Sequence, residues 1–179
     1  MGGFVGYNNG TISKCVSSTN IYGEANGVTN SQYAGGFVGY NNGTVSNSYC
    51  STTVAGSNYV GGFVGYNNAD ILTSYCLGYI AGTNWHGGFC GSNADTLTNC
   101  LYCSETSMQS DDDGRGSPAT RDAFLIQASY VNFEFDDNHW NVYDTNHLAR
   151  LVENAEGNIY SINRTMPVNV DVDALKLKW

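Results

Sequence analysis

Apolar side chains recur along the first hundred residues in columns separated by glycine and by Asn, Ser and Thr. Phe4, Phe37, Phe63 and Phe89 form one column, and Ile12, Val45, Ile71 and Leu97 form a second, eight positions later. Ile21, Val54 and Ile80 follow nine positions further on, and Val60 with its mates Ala34 and His86 makes a fourth column. The residues between are turn chemistry, with Asn-Gly at Asn9-Gly10 and Asn42-Gly43. Each unit is therefore predicted to hold about three short strands joined by tight turns, with the columns facing inward.

Alignment on the double glycine places unit starts at Gly2, Gly35, Gly61 and Gly87, with spacings of 33, 26 and 26 residues. The first spacing falls to 26 if seven residues around Ala25 to Ser31 form a loop insertion. A unit of this length is too short for a propeller blade, which needs about 40 residues, but suits a single turn of a coil. Equivalent residues of successive turns would then stack about 4.8 Å apart, so that like side chains form ladders. The expected fold is mainly β: a parallel β-solenoid (β-helix) of about four coils over residues 1–104 (2–34, 35–60, 61–86 and 87–106), followed by a C-terminal capping segment containing one short helix.

Composition changes after residue 104. Residues 1–104 carry three acids (Glu24, Asp70, Asp95) and one base (Lys14), whereas residues 105–179 carry thirteen acids and six bases. Residues 105–144 are expected to be a linker, SMQSDDDGRGSP, and a cap. Phe124 to Ile126, Val131 to Phe135 and Trp140 to Tyr143 are its apolar segments, laid over the open end of the array. Residues 145–179 complete the chain as a short helix plus strands, or a truncated module. The helix is predicted over Thr145 to Ala155, from Leu148, Leu151 and Val152 at helical spacing and the stop at Gly157, with Thr145 or Asn146 as its cap. The alternating segments NIYSI and VNVDVDALKL are expected to be strands.

The net charge of −9 disfavours nucleic acid and anionic membranes as partners, since both are bound through Lys and Arg. No apolar run approaches the roughly 20 residues that span a bilayer, so membrane insertion is not expected. Met1 stands directly before Gly2, inside a repeat, and the start is taken as a cut within a longer protein. The chain is rich in Tyr, Phe, Val and Ile and poor in charge, a composition that folds.

The segments GGFVGYNNGTISKC, GGFVGYNNGTVSNSYC and GGFVGYNNADILTSYC resemble the GLUG motif, found in tandem on bacterial surface and secreted proteins. The resemblance covers about residues 2–104. The family pattern is usually GGLVG, from which the Phe here departs conservatively. The motif has no catalytic residues of its own, so the resemblance implies a secreted or surface scaffold and brings no active site with it.

Candidate chemistry is sparse. Asp111, Asp112 and Asp113 beside Gly114 could offer oxygens to calcium, although the spacing is not that of an EF-hand loop. No cofactor is expected beyond the calcium these carboxylates could take. Cys100 and Cys103 form a C-x-x-C that could hold zinc with Cys90 and His86, or the six cysteines could form disulfides, or they could be packed thiols. Cys100 shares a column with Cys15, and Cys50 shares one with Cys76. Asp70 and Asp95 fall in adjacent columns of adjacent units, but no base accompanies them, so no enzyme activity is expected. The aromatic columns Tyr7, Tyr40 and Tyr66, Tyr49 and Tyr75, and Tyr59 and Trp85 could bind sugar rings or simply stabilise strands.

Two functions follow as expectations. The first is a non-enzymatic extracellular or cell-surface structural and adhesive repeat protein, self-associating through solenoid ends into fibres and meeting a host-cell or polysaccharide surface. The alternative is a carbohydrate-binding or polysaccharide-processing accessory module.

Overall fold

The computed structural model describes residues 1–23, 32–109, 115–134, 140–141 and 150–151. These residues make a mainly β protein in which each of the first three units contributes strands to three parallel sheets and the fourth to two of them. The first sheet is built from β1 (Val5–Asn8), β6 (Val38–Asn41), β10 (Val64–Asn67) and β13 (Cys90–Asn93), in that order. The second joins β2 (Ile12–Ser13) and β3 (Val16–Ser17), β7 (Val45–Ser46) and β8 (Tyr49–Ser51), β11 (Ile71–Leu77), β14 (Leu97–Cys103) and β15 (Ser117–Ala119). The third sets β4 (Ile21–Tyr22) and β5 (Ala34–Gly35) beside β9 (Val54–Gly61), and β9 beside β12 (Ile80–Gly87).

The register is that of the sequence columns. Val5, Val38, Val64 and Cys90 are paired in succession, as are Ile12, Val45, Ile71 and Leu97. In the third sheet Ile21 pairs with Val54, an offset of 33, whereas Ala34 pairs with Val60, an offset of 26. The seven extra residues of the first unit therefore lie between Tyr22 and Ala34, where the insertion is expected; residues 24–31 themselves lie outside the described residues.

Like side chains meet between units because the register is constant. Phe37 stacks on Phe63 at 4.7 Å and Phe63 on Phe89 at 4.8 Å, all three fully buried in the main core with Val38, Val64, Val45 and Ile71. The turn asparagines run as a hydrogen-bonded ladder: Asn8 Nδ2 donates to Asn41 Oδ1, Asn41 to Asn67 and Asn67 to Asn93, at 2.8, 2.8 and 2.9 Å. These amides are nearly or wholly buried in the first three units, and the ladder satisfies groups that would otherwise be costly to bury. Non-glycine residues in the left-handed region also repeat, at Lys14, Asn47, Thr73 and Asn99 and at Tyr59 and Trp85. A bent backbone is thus imposed at the same place in each unit even on side chains that disfavour it.

Two expectations about the C-terminal half are corrected. Phe124, Tyr130, Phe133 and Trp140 do not lie over the end of the stack. They form a second core with Tyr75 and Cys103, against Tyr49, Leu77 and Leu101, on the outer side of the second sheet. That sheet carries apolar side chains on both faces, so its outer face needs a cover. Trp140 Nε1 donates to Asn47 Oδ1 at 3.3 Å, and the Tyr130 hydroxyl to the Phe124 carbonyl at 2.7 Å. Ala123–Leu125 is a 3-10 turn, and Ile126 and Val131 are exposed.

The end itself is overlaid by β15, which pairs with β14, and by Arg115, whose carbonyl accepts from the Cys90 amide. The second correction concerns the helix over 145–155. Arg150–Leu151 (β17) pairs antiparallel with Trp140–Asn141 (β16), so this part of the segment is strand. A short amphipathic segment has little helix stability of its own, and pairing overrides its periodicity. The rest of that segment, NIYSI and VNVDVDALKL lie outside the described residues. The described helix is α1 (Ser104–Ser107), directly after β14.

Candidate functional site

The sequence candidates separate once they are placed. Cys100 lies in the main core, whereas Cys103, three residues on, belongs to the outer core beside Tyr75 and Phe124. The C-x-x-C therefore straddles its sheet and cannot close on one ion with Cys90 and His86. Among the described residues no three His, Cys, Asp or Glu side chains gather as a metal set would require. Asp111, Asp112 and Asp113 lie outside the described residues.

The six cysteines are free thiols. Cys50 and Cys76 are in register, and their Sγ atoms donate to the Gly62 and Gly88 carbonyls at 3.1 and 3.0 Å. Cys15 and Cys100 end a column whose middle members are Ser48 and Ser74. Burial pushes the Cys100 thiol up to about 12, against the smaller opposing pull of backbone hydrogen bonds at Ser74 and Thr98. A thiol so held stays protonated across the neutral range and is no nucleophile.

The aromatic candidates also divide. Tyr75 is fully buried and Tyr49 half-buried, stacked on one another at 5.0 Å beneath Trp140. Tyr49 and Tyr75, a candidate sugar-binding column in the sequence, are instead packed beneath the tail.

The other two columns converge into one surface. Tyr7, Tyr40 and Tyr66 stack at 5.3 and 5.0 Å along the first sheet. Tyr33, Tyr59 and Trp85 stack at 5.2 and 6.3 Å beside them. Tyr33 meets Tyr40 and Tyr66 edge to face, and Tyr59 meets Tyr66 in the same way, so the two ladders interlock at a corner. Tyr33 belongs to this set, and its place immediately before Ala34, matching Tyr59 before Val60, is the signal that could have added it.

Within the ladders the rings cover one another's faces. Free faces remain at the ends, on Tyr7 (58 % exposed) and Trp85 (63 % exposed). The Tyr40 hydroxyl is pushed up from its ordinary value, first by burial and then by Tyr66, Tyr7 and Tyr33. It is neutral wherever the protein is used near pH 7, and the corner presents hydroxyls and ring edges rather than charge.

Asp70 and Asp95 fall in adjacent columns and out of register: Ile71 pairs with Leu97, 26 residues on, which sets Asp70 level with Thr96 and Asp95 level with Ala69. Asp95 is engaged locally, accepting from the Thr96 amide at 2.8 Å.

Among the described residues, fold and site together define a mainly β protein of stacked parallel strands that carries an aromatic corner on its surface. No helix among the described residues is long and apolar enough to cross a membrane. The chain matches no protein-family model, no curated protein and no solved structure.

Proposed function

We propose that this chain is a non-enzymatic structural and adhesive module of an extracellular or cell-surface protein, a parallel β-solenoid of the kind its GLUG-like repeats suggest. The observation that carries the reading is where the repeated side chains go. Phe, Asn, Tyr and the small Ser and Cys residues are used on the next unit of the same chain, as ring stacks and hydrogen-bonded ladders. Repetition of this sort builds length and rigidity and does not converge side chains on one reacting centre. The scaffold would then hold whatever it displays at fixed spacing.

A second reading, carbohydrate binding, is favoured by one feature: the free face of Trp85 at the end of its ladder. The interior rungs Tyr40 and Tyr59 are stacked on both faces, which limits a sugar to the ends of the ladders.

The test is binding to immobilised polysaccharides and to whole cells, with the intact chain and with Trp85→Ala. Trp85 is exposed, and its replacement is expected to leave the thermal unfolding temperature within about 2 °C. Structural adhesion predicts cell or surface retention that Trp85→Ala preserves. Saturable glycan binding lost in Trp85→Ala would replace the first reading with the second, and hydrolysis or cleavage of the polysaccharide would overturn both.

A further inference from the structure

The two ends of the stack differ in what lies against them. At the C-terminal end β15 pairs with β14, Arg115 Nη1 donates to the Gly91 carbonyl at 2.9 Å, and Gly116 sits over Phe89. At the N-terminal end the described strands β1 to β4 are paired on one side only. Phe4 has Phe37 on one face and is 49 % exposed.

Three features of this open edge are complementary to something not among the described residues. The first is a pair of glycines. A Cβ at Gly39 would meet the Gly6 carbonyl at 2.6 Å, and one at Gly43 the Gly10 carbonyl at 2.1 Å, so in the second unit glycine is required by the backbone of the first. The same holds one unit later, where Gly65 meets the Gly39 carbonyl at 2.6 Å. A Cβ at Gly6 or Gly10 would meet nothing within 4 Å. These two positions keep the room that a neighbouring backbone needs.

The second feature is a set of backbone donors. The amides of Asn42 and Tyr49 donate to the Asn8 and Cys15 carbonyls at 2.8 and 3.1 Å, and those of Asn68 and Tyr75 to the Asn41 and Ser48 carbonyls at 2.8 and 3.1 Å. The equivalent amides of the first unit belong to Asn9 and Val16, on the open edge. The third is side-chain polarity. Asn68 Nδ2 donates to Asn42 Oδ1 and Asn42 Nδ2 to Asn9 Oδ1, both at 2.9 Å, so this ladder ends with the Asn9 amide as a donor.

From these we infer that the N-terminal edge is a docking surface for one further coil of the same repeat class, laid on it in parallel register. The inference rests on the solenoid reading and adds that a further coil docks at the N-terminal edge, since β15 already occupies the β14 edge at the other end. The occupant is recognised by a glycine carbonyl over Gly6, a second over Gly10 and an Asn-Asn turn accepting from Asn9. A second copy of this chain docking head to tail does not fit, because its C-terminal edge is overlaid by Arg115 to Ala119. Open-ended fibres of identical copies are accordingly not expected.

The test places a copy of residues 35–59 ahead of Met1 of the full chain, so that Met1 takes the position of Val60. Hydrogen exchange of the Asn9 and Val16 amides is expected to slow by about 100-fold relative to the parent. Gly6→Ala and Gly10→Ala are expected to leave the unfolding temperature of the parent unchanged and to lower that of the extended chain by about 5 °C or more. The inference is overturned if the added segment leaves those amides unprotected, melts separately or unfolds the parent, or if the glycine substitutions act equally in both chains. Sedimentation across concentration supplies the competing outcome: open-ended polymers of the parent would show head-to-tail docking and overturn it too. None of these readouts depends on adhesion or glycan binding, so the function proposal stands or falls separately.

Discussion

Replacing Gly61 with alanine is expected to abolish cooperative folding. A Cβ there would lie 2.0 Å from the Val64 carbonyl oxygen, 2.7 Å from the Gly91 amide nitrogen and 2.9 Å from the Phe89 carbonyl oxygen. All three are backbone atoms, and the last two belong to the next unit, so relief requires the two units to separate. The cost should reach the exceptional range for one substitution, above about 4 kcal/mol. Far-UV circular dichroism with a thermal melt reads it directly: loss of the β signal and of the transition is expected. Gly6→Ala is the internal control, since it adds the same methyl group within the same motif where no atom lies within 4 Å. A Gly61→Ala chain that melts like the parent would mean that the units do not approach as described.

The second large effect is expected from Phe63→Ala. Phe63 is fully buried and stacked on both faces, at 4.7 Å from Phe37 and 4.8 Å from Phe89, and truncating it leaves a cavity in the middle of the ladder. Buried Phe to Ala changes cost about 3–5 kcal/mol, the higher end applying where the surroundings cannot collapse. Neighbouring rungs are fixed by the strand spacing and have little freedom to close the gap. Phe4→Ala, at the exposed end with one stacked neighbour, should cost about 1 kcal/mol. Urea unfolding of the two variants gives the comparison, and equal losses would contradict a ladder whose burial grows inward from the N-terminal edge.

The repeat half was legible because its signal is redundant. Phe4, Phe37, Phe63 and Phe89 sit at one register position, and a column of identical residues can be read without knowing its neighbours. The parallel pairing and an insertion between Tyr22 and Ala34 follow from that constancy.

What escaped is whatever depends on elements outside the repeat. Tyr49 and Tyr75 alternate along the chain like Tyr40 and Tyr66, and no sequence pattern says that Phe124, Tyr130, Phe133 and Trp140 will return to cover one pair and leave the other open. Cys100 and Cys103 look like a metal half-site in one dimension and prove to point into different cores. The helical spacing of Leu148, Leu151 and Val152 is equally compatible with a segment that pairs at Arg150–Leu151. The inward Asn ladder was legible as a column, but its polarity is set by geometry. The inner ladder donates from Asn8 toward Asn93 and the outer one from Asn68 toward Asn9, a difference that only three-dimensional placement decides.

Every functional inference depends on the units lying on one another in parallel, one period apart. Proton NMR of the labelled chain tests this most directly through short backbone contacts between residues 26 positions apart. Cross-peaks are expected linking Val38 to Val64, Tyr40 to Tyr66 and Ile71 to Leu97, the pairs in register in the first and second sheets. Contacts between strands within one unit, such as Val38–Asn41 against Val45–Ser46 in an antiparallel hairpin, with no peaks at the 26-residue separation, would contradict the stack and every reading built on it.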